Sequence, residues 1–338
     1  MQNHHVKKMV SIIVPVYNEE DSIDVFLTKI NSVLMNEPYQ FEIIFINDGS
    51  QDMTYQSILA ARKNDSRIKI VDLSRNFGKE SALAAGFMFA IGDAVIPMDV
   101  DLQDTPSSIP IFLRKWEEGY EMVIGVRTNR DSDSKFKRLS ANLFYRVFNI
   151  TCAAKIAPNA GDFRLLDRKI VNVLNALPER NRFTKGLYAW TGFRQYQIPV
   201  VRKSRAVGKT KWNAWKLWNF ALDGITGFST FPLRIWSYLG VVLAFMGFVY
   251  ALYLVFRTLL WGSDMPGYPS LMVVLLCLGG MILISLGVMG EYLGRIFVEC
   301  KQRPLYIVRC AEGFNTFVVK SCPNCGHPMP EKVKSDEC

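Results

Sequence analysis

From residue 10 to residue 201 the chain alternates short apolar runs with longer stretches in which apolar residues recur at helical spacing. The runs at 10–16, 41–47, 68–73, 94–98, 121–126 and 196–201 have strand length and are rich in Val, Ile and Phe, so they are expected to be strands. The stretches between them, such as 22–34, 79–91 and 109–118, are expected to be helices. Strand–helix alternation of this kind predicts an α/β fold with a mostly parallel sheet covered on both faces. Pro178 and Pro158-Asn159-Ala160-Gly161 punctuate the second half, and no repeats or low-complexity tracts occur.

Beyond residue 210 the pattern changes. Residues 211–231 place Trp212, Trp215, Trp218, Phe220 and Phe228 beside Lys211 and Lys216, which suits an amphipathic helix lying among lipid headgroups. Two uncharged apolar runs follow, at 235–256 and 271–290. At about 1.5 Å per residue each is long enough to cross a hydrocarbon core about 30 Å thick. The short link between them carries Asp264 but no Lys or Arg, whereas Arg234, Arg257, Arg295, Lys301 and Arg303 lie at the ends of the runs. Excess positive charge marks the cytoplasmic side, so both termini and the large N-terminal domain are expected in the cytoplasm. Four regions result: an α/β domain at 1–210, an interfacial helix at 211–232, a two-helix transmembrane domain at 233–298 and a C-terminal tail at 299–338.

Composition agrees with a membrane portion: 49% of the 338 residues are hydrophobic and the mean hydropathy is slightly positive. The net charge of +9 fits nucleic acid, anionic lipid or phosphorylated substrates. No nucleic-acid-binding motif occurs and the basic residues cluster around apolar segments, which favours lipid and phosphate over nucleic acid. The seven Cys are too sparse and uneven for a disulfide framework, and the polar start of the chain gives no sign of a signal peptide. Gly279-Gly280, Gly287 and Gly290 would allow close helix contact, and a homo-oligomer is expected.

The candidate chemistry lies where apolar runs end. Val95-Ile96-Pro97-Met98 feeds into Asp99-Val100-Asp101-Leu102-Gln103-Asp104. On an extended chain Asp99 and Asp101 share a face, at the carboxyl end of a strand, where open α/β sheets bind ligands. Two adjacent carboxylates need a counter-cation, and a divalent ion preferring hard oxygen donors could also hold a diphosphate. Val14-Pro15-Val16-Tyr17-Asn18-Glu19-Glu20 ends the first run: Tyr17 offers a flat face to a nucleobase and Glu19 an acceptor. Asn47-Asp48-Gly49-Ser50 ends the second, with Asp48 able to accept from a base N–H.

Together with Ser74-Arg75-Asn76-Phe77-Gly78-Lys79-Glu80, these segments resemble family 2 glycosyltransferases of the GT-A, Rossmann-like fold. The resemblance is to the polyprenyl-phosphate glycosyltransferases, which include dolichol-phosphate mannose synthase and bacterial undecaprenyl-phosphate glucosyltransferases. It implies that Pro15, Tyr17, Glu19 and Asp48 form the base pocket, that Asp99 lies near the sugar and ribose, and that Asp101 and Gln103 bind Mg²⁺ or Mn²⁺ with the diphosphate. Gly125-Val126-Arg127 is similar to the segment whose Arg meets phosphate, and Lys137-Arg138-Leu139-Ser140 to the acceptor-phosphate site, so Arg138 and Ser140 are implied there. Arg205-Ala206-Val207-Gly208-Lys209-Thr210-Lys211 resembles the family's Arg-x-x-Gly-x-Ser-Lys loop, with Thr210 keeping the hydroxyl; Arg205 and Lys211 are the implied anion-holding cations. Gly161-Asp162-Phe163-Arg164 resembles the segment carrying the catalytic Asp, here Asp162, and Arg182-Phe183-x-x-Gly186 one that shapes the sugar pocket. A phosphate acceptor is already largely anionic at neutral pH, so Asp162 is expected to position it or to remove a residual proton.

The tail departs from the family. Cys322-Pro323-Asn324-Cys325-Gly326-His327 resembles a zinc knuckle, with Cys310 or Cys338 available to complete a structural Zn²⁺ site, and a flexible reduced tail is the other reading. The resemblance implies an inverting transfer of a hexose, glucose first, from a UDP-sugar to undecaprenyl phosphate at a bacterial inner membrane. GDP-mannose and UDP-amino-arabinose are alternative donors, and an inactive membrane scaffold is the non-enzyme alternative. A processive polysaccharide synthase is disfavoured because no Gln-x-x-Arg-Trp segment occurs, and a two-span channel because the spans lack ionisable residues.

Overall fold

The computed structural model describes residues 7–127, 145–146, 148–152, 155–156, 160–180, 182–200, 224, 226–261, 267–314, 318–321 and 328–331. Its centre is an eight-stranded sheet of β1 (Met9–Val16), β2 (Gln40–Asn47), β3 (Ile68–Leu73), β4 (Ala94–Pro97), β5 (Met122–Arg127), β6 (Ala160–Asp167), β7 (Gln195–Val200) and β8 (Val308–Glu312), in the order β7-β5-β6-β4-β1-β2-β3-β8. β1 is parallel to β2 and β4, β2 to β3, and β5 to β7. The expected mostly parallel α/β fold is therefore the observed one.

Both faces are covered, which is why the central strands read as near-continuous apolar runs. On one face Val10, Ile12 and Val14 pack with Phe26 and Ile30 of α1 (Ile23–Leu34) and with Phe112 and Trp116 of α4 (Ile109–Glu117). On the other, Ile13, Ile44 and Val71 pack with Ala82, Leu83 and Phe87 of α3 (Lys79–Phe89) and Ile170 and Leu174 of α5 (Arg168–Ala176). Helix α3 sits unusually close to the sheet. A Cβ on Gly86 would fall 2.2 Å from Ile13 Cγ2, so only glycine admits that approach. The same domain also holds α2 (Thr54–Asn64) and α6 (Thr184–Trp190).

Two strands of this sheet lie outside the six expected. β6 runs antiparallel to both neighbours, with Val95 opposite Leu166 and Ile124 opposite Arg164. β8 comes from beyond the second apolar run and pairs antiparallel with β3 at the sheet edge. Part of the region read as a tail thus completes the main sheet. Arg309 donates to Asp72 and to the Ser74 carbonyl, and Tyr55 Oη donates to Glu312 at 2.6 Å.

The apolar runs form α7 (Phe231–Trp261) and α8 (Tyr268–Cys300), both longer than the runs themselves. Their segments Phe231–Tyr250 and Cys277–Cys300 are long and apolar enough to cross a membrane, and neither is buried inside the protein. A core helix of a soluble domain would be mostly buried; here Phe245, Val241 and Leu283 face outward and are about two-thirds exposed. The hairpin is fastened to the sheet domain at its base. Tyr292 Oη donates to the Ser229 carbonyl at 2.6 Å, Glu299 accepts from the Arg180 backbone at 2.8 Å, and the Arg180 guanidinium reaches the Arg303 carbonyl. Phe228, counted above among the aromatics of an interfacial helix, packs instead against Phe148 and Phe183 of the sheet domain. The rest of that proposed helix, up to residue 223, lies outside the described residues. So do Cys322 and Cys325, although the strands on either side, β9 (Val318–Ser321) and β10 (Pro328–Glu331), pair as an antiparallel hairpin.

Candidate active site

The carboxyl ends of β1, β2, β3 and β4 share one edge of the sheet, because these strands are mutually parallel. The two loops after β1 and β2 are laced together there. Asn18 N donates to Ser50 Oγ and Gln51 N to Asn18 Oδ1, while Glu19 N donates to Thr54 Oγ1 and Met53 N to Glu20 Oε2. Pro15, Tyr17 and Glu19 thus stand on a bonded platform, with Glu19 also accepting from Ser22 Oγ at 2.9 Å. These are three of the four residues assigned to a base pocket.

The fourth, Asp48, is buried, and its carboxylate accepts from Phe77 N at 2.7 Å and Gly78 N at 2.9 Å. Burial pushes its pKa up, against the pull of those two amides and of Arg75. Gly49 has φ +67°, and a Cβ there would lie 2.4 Å from the Arg75 carbonyl carbon. The loop after β2 is therefore pressed onto the loop after β3, and Asp48 sets where α3 begins.

Lys79 opens α3, and its ammonium lies between two carboxylates. Nζ is 2.6 Å from Asp99 Oδ1 and 2.8 Å from Asp162 Oδ2. Asp162 arrives by a route that strand spacing does not reveal. Because β6 is reversed, its beginning lies at the edge where its neighbours end, so Asp162 faces Asp99 across β4 and β6. Asp101 does not share a face with Asp99 by strand alternation, as the sequence led us to expect. β4 stops at Pro97, Asp101 lies in a turn accepting from Gln103 N at 3.2 Å, and Leu102 between them has φ +54°. That left-handed conformation costs a branched side chain about 1–2 kcal/mol, strain held at the rim of the site.

Burial opposes the Lys79 charge, but Asp162 and Asp99 outweigh it and hold the ammonium firmly protonated. Burial likewise pushes the Asp162 carboxyl up, yet Lys79, Lys185 and Arg164 reverse this and hold it far below the usual carboxylate range. Behind this pair, Glu80 accepts from both Thr184 N and Thr184 Oγ1; burial and the charge on Asp162 push its pKa up. Arg164, only 3% exposed, lies 4.1 Å from the Tyr188 ring centroid and donates to the Gly161 carbonyl at 2.6 Å. Asp162 Oδ1, Arg164 Nε and Tyr188 Oη are buried with no hydrogen-bond partner among the described residues. Such orphaned groups are uncommon in finished interiors and collect where a ligand or ordered water completes the site.

Lys79, Glu80, Arg164 and Thr184 were given no role in the sequence analysis; a Lys at the start of a helix following a strand-end turn was the available signal for the first. Arg127 ends β5 at the active edge. Arg138, Ser140, Arg205 and Lys211 lie outside the described residues. The described donors suit a hard divalent cation: Asp101 and Gln103 offer oxygen at an open edge, and Asp99 stands two residues away. Among the described residues no group of three or more His, Cys, Asp or Glu could enclose an ion, so further oxygen ligands would have to come from a substrate such as a diphosphate.

Residues 11–174 match the model of glycosyl transferase family 2, and residues 231–296 match that of the GtrB C-terminal hairpin. An uncharacterised glycosyltransferase of Synechocystis is 51% identical over 88% of this chain and 94% of its own. A bactoprenol glucosyl transferase of Shigella phage SfV is 47% identical over 89% of this chain and 98% of its own. Among solved structures, a mannosyltransferase from Pyrobaculum calidifontis in complex with GDP-Man and Mn²⁺ covers 88% of this chain and 87% of its own at 16% identity and a TM-score of 0.45.

Proposed function

Because the chain belongs to glycosyl transferase family 2, we propose that it moves glucose from UDP-glucose to undecaprenyl phosphate at the cytoplasmic face of a bacterial inner membrane. It is a glycosyltransferase; the glucose and the polyprenyl phosphate are inferred from relatives nearly half identical along almost their whole length. The observation that carries the reading is the convergence of Asp99, Asp101, Lys79 and Asp162 at one sheet edge beside the bonded loops of β1 and β2.

The base and ribose lie over Tyr17, Glu19 and Asp48, the diphosphate extends toward Asp101 and Gln103, and Asp99 meets the sugar. Mg²⁺ or Mn²⁺ held by Asp101 and Gln103 would offset the charge growing on the departing diphosphate. A phosphate oxygen of the lipid attacks the anomeric carbon in line, the bond from that carbon to UDP breaks, and the configuration inverts. The attacking oxygen is already ionised at neutral pH, so no proton need be removed. This agrees with the state of Asp162: a carboxylate held so strongly ionised is a poor proton acceptor but a good orienting group. Arg127, Arg138, Ser140, Arg205 and Lys211 supply the counter-charges and hydrogen bonds for the two phosphate groups. The α7–α8 hairpin anchors the domain in the bilayer, bringing the acceptor headgroup to the edge where Asp162 waits, as a homo-oligomer with both termini in the cytoplasm.

The test is transfer of radiolabelled glucose from UDP-glucose to undecaprenyl phosphate by the full chain in lipid vesicles. A divalent-ion-dependent, lipid-extractable product is expected. No lipid product from UDP-glucose, with folded protein and either Mg²⁺ or Mn²⁺ present, would overturn the reading.

A further inference from the structure

We infer that Lys79 is a positioning residue of the transfer reaction, holding Asp99 and Asp162 in register so that two anionic substrates can meet between them. The inference rests on the function proposed above. Its warrant is the geometry of three elements. Asp99 follows β4, Asp162 lies in the reversed strand β6, and Lys79 opens α3 on the sheet's second face. One ammonium contacts both carboxylates, at 2.6 and 2.8 Å, with a second contact of 2.9 Å to Asp99 Oδ2.

Without this cation, neighbouring carboxylates at the site would repel each other and any incoming phosphate. Asp99 would also be free to turn toward solvent, since about a third of its side chain is exposed (32%), whereas Asp162 is more enclosed (20%). The ammonium is itself placed by structure on its other side. Asp48 pins Phe77 N and Gly78 N, Gly78 takes φ +94°, and the helix starts at Lys79. Asp48 therefore serves the reaction centre as well as the nucleotide pocket, through the loop that delivers Lys79. Next along α3, Glu80 bonds Thr184, tying the same turn to α6. Lys79 thus joins the donor-side loops to the acceptor-side strand at a single point.

The experiment compares the full chain with Lys79→Met, Lys79→Arg, Asp162→Asn and the double variant Lys79→Met/Asp162→Asn, measuring kcat and donor KM for glucose transfer. Lys79→Met is expected to lower kcat about a hundredfold, as loss of a preorganised charge at a reaction centre does, while donor KM moves less than about fivefold. Lys79→Arg is expected to recover most of the rate. If Lys79 acts through Asp162, the two losses do not multiply: the double variant should be within about threefold of the slower single variant. Losses that multiply, or a Lys79→Met enzyme within threefold of the unaltered kcat, would overturn the inference. Should Lys79→Met melt early, Lys79→Gln carries the same test, and unaltered kcat in that variant would overturn it equally. Failure of the unaltered chain to transfer glucose at all removes the functional reading and this inference with it, whereas failure of the variants alone to lose rate removes only the inference.

Discussion

The two halves of the catalytic sheet secure their carboxylates by opposite means. On the side proposed for the donor, Asp48 is buried and bonded to neutral backbone amides, with its pKa pushed up. On the side proposed for the acceptor, Asp162 is paired with a cation, with its pKa pushed down. The first carboxylate is a fixture of the backbone: it sets loop shape, so its replacement is felt first as lost stability and only through that loop as lost rate. The second is an electrostatic device, so its replacement is felt first as lost rate, beside the stability its ion pair supplies. The difference follows from position. The loops after β1, β2 and β3 fold on one another and supply amides, whereas Asp162 lies near the start of a strand at the rim, where the described groups that hold it are side-chain cations.

Substitutions can break this contrast. The largest effect is expected at the rim: Asp101→Ala should lower kcat about a thousandfold, roughly 4 kcal/mol in the barrier. Its melting temperature should stay unchanged, and a shared loss of both would put Asp101 with the fixtures. Asp162→Asn is expected to cost about a hundredfold in kcat while nucleotide affinity by calorimetry holds.

Asp48→Asn should be felt first in stability. An amide leaves one of the two backbone donors facing an NH₂ group, so about 1–3 kcal/mol of stability goes, seen in denaturant melts. Gly49→Ala, strained at φ +67° and crowding Arg75, should lose a similar 1–3 kcal/mol.

The pH dependence of stability sharpens the contrast, with a smaller effect. Asp162 has a lowered folded pKa, so its contribution is present above about pH 4, the unfolded value, and is lost as pH falls through the folded one. Asp48 has a raised folded pKa, so its contribution is present below about pH 4 and is lost as pH rises through its folded value. Melts between pH 3 and 7 should therefore lose an acid-side slope in Asp162→Asn and the opposite slope in Asp48→Asn. The smallest change is expected at the base of the hairpin, where Glu299→Gln weakens the partly exposed contact with Arg180 by no more than about 1 kcal/mol.

Much of this is legible in the sequence. Six strands, the two long apolar helices and the position of Asp99 and Asp101 at a strand's end follow from hydrophobic spacing alone. β6 was not legible, because its sequence Ala-Gly-Asp-Phe-Arg-Leu-Leu-Asp carries three charges. The buried Arg164 is tolerated there by the Tyr188 ring and the Gly161 carbonyl, partners that no local pattern displays. β8 was missed for a related reason: an edge strand with Arg309 and Glu312 exposes one side and need not be apolar. The pairing of Lys79 with Asp162 spans residues far apart in sequence and depends on the direction of β6.

That direction has a consequence for how such a chain can change over time. β5 finishes, and β6 starts, at the same rim of the sheet, so the chain leaves and re-enters the sheet there between Arg127 and Ala160. A change in the length of that connection therefore need not shift the register of β5 on β6. If Arg138 and Ser140 meet the acceptor as proposed, a lineage of such enzymes can acquire a new acceptor by rewriting one connection while keeping its nucleotide chemistry.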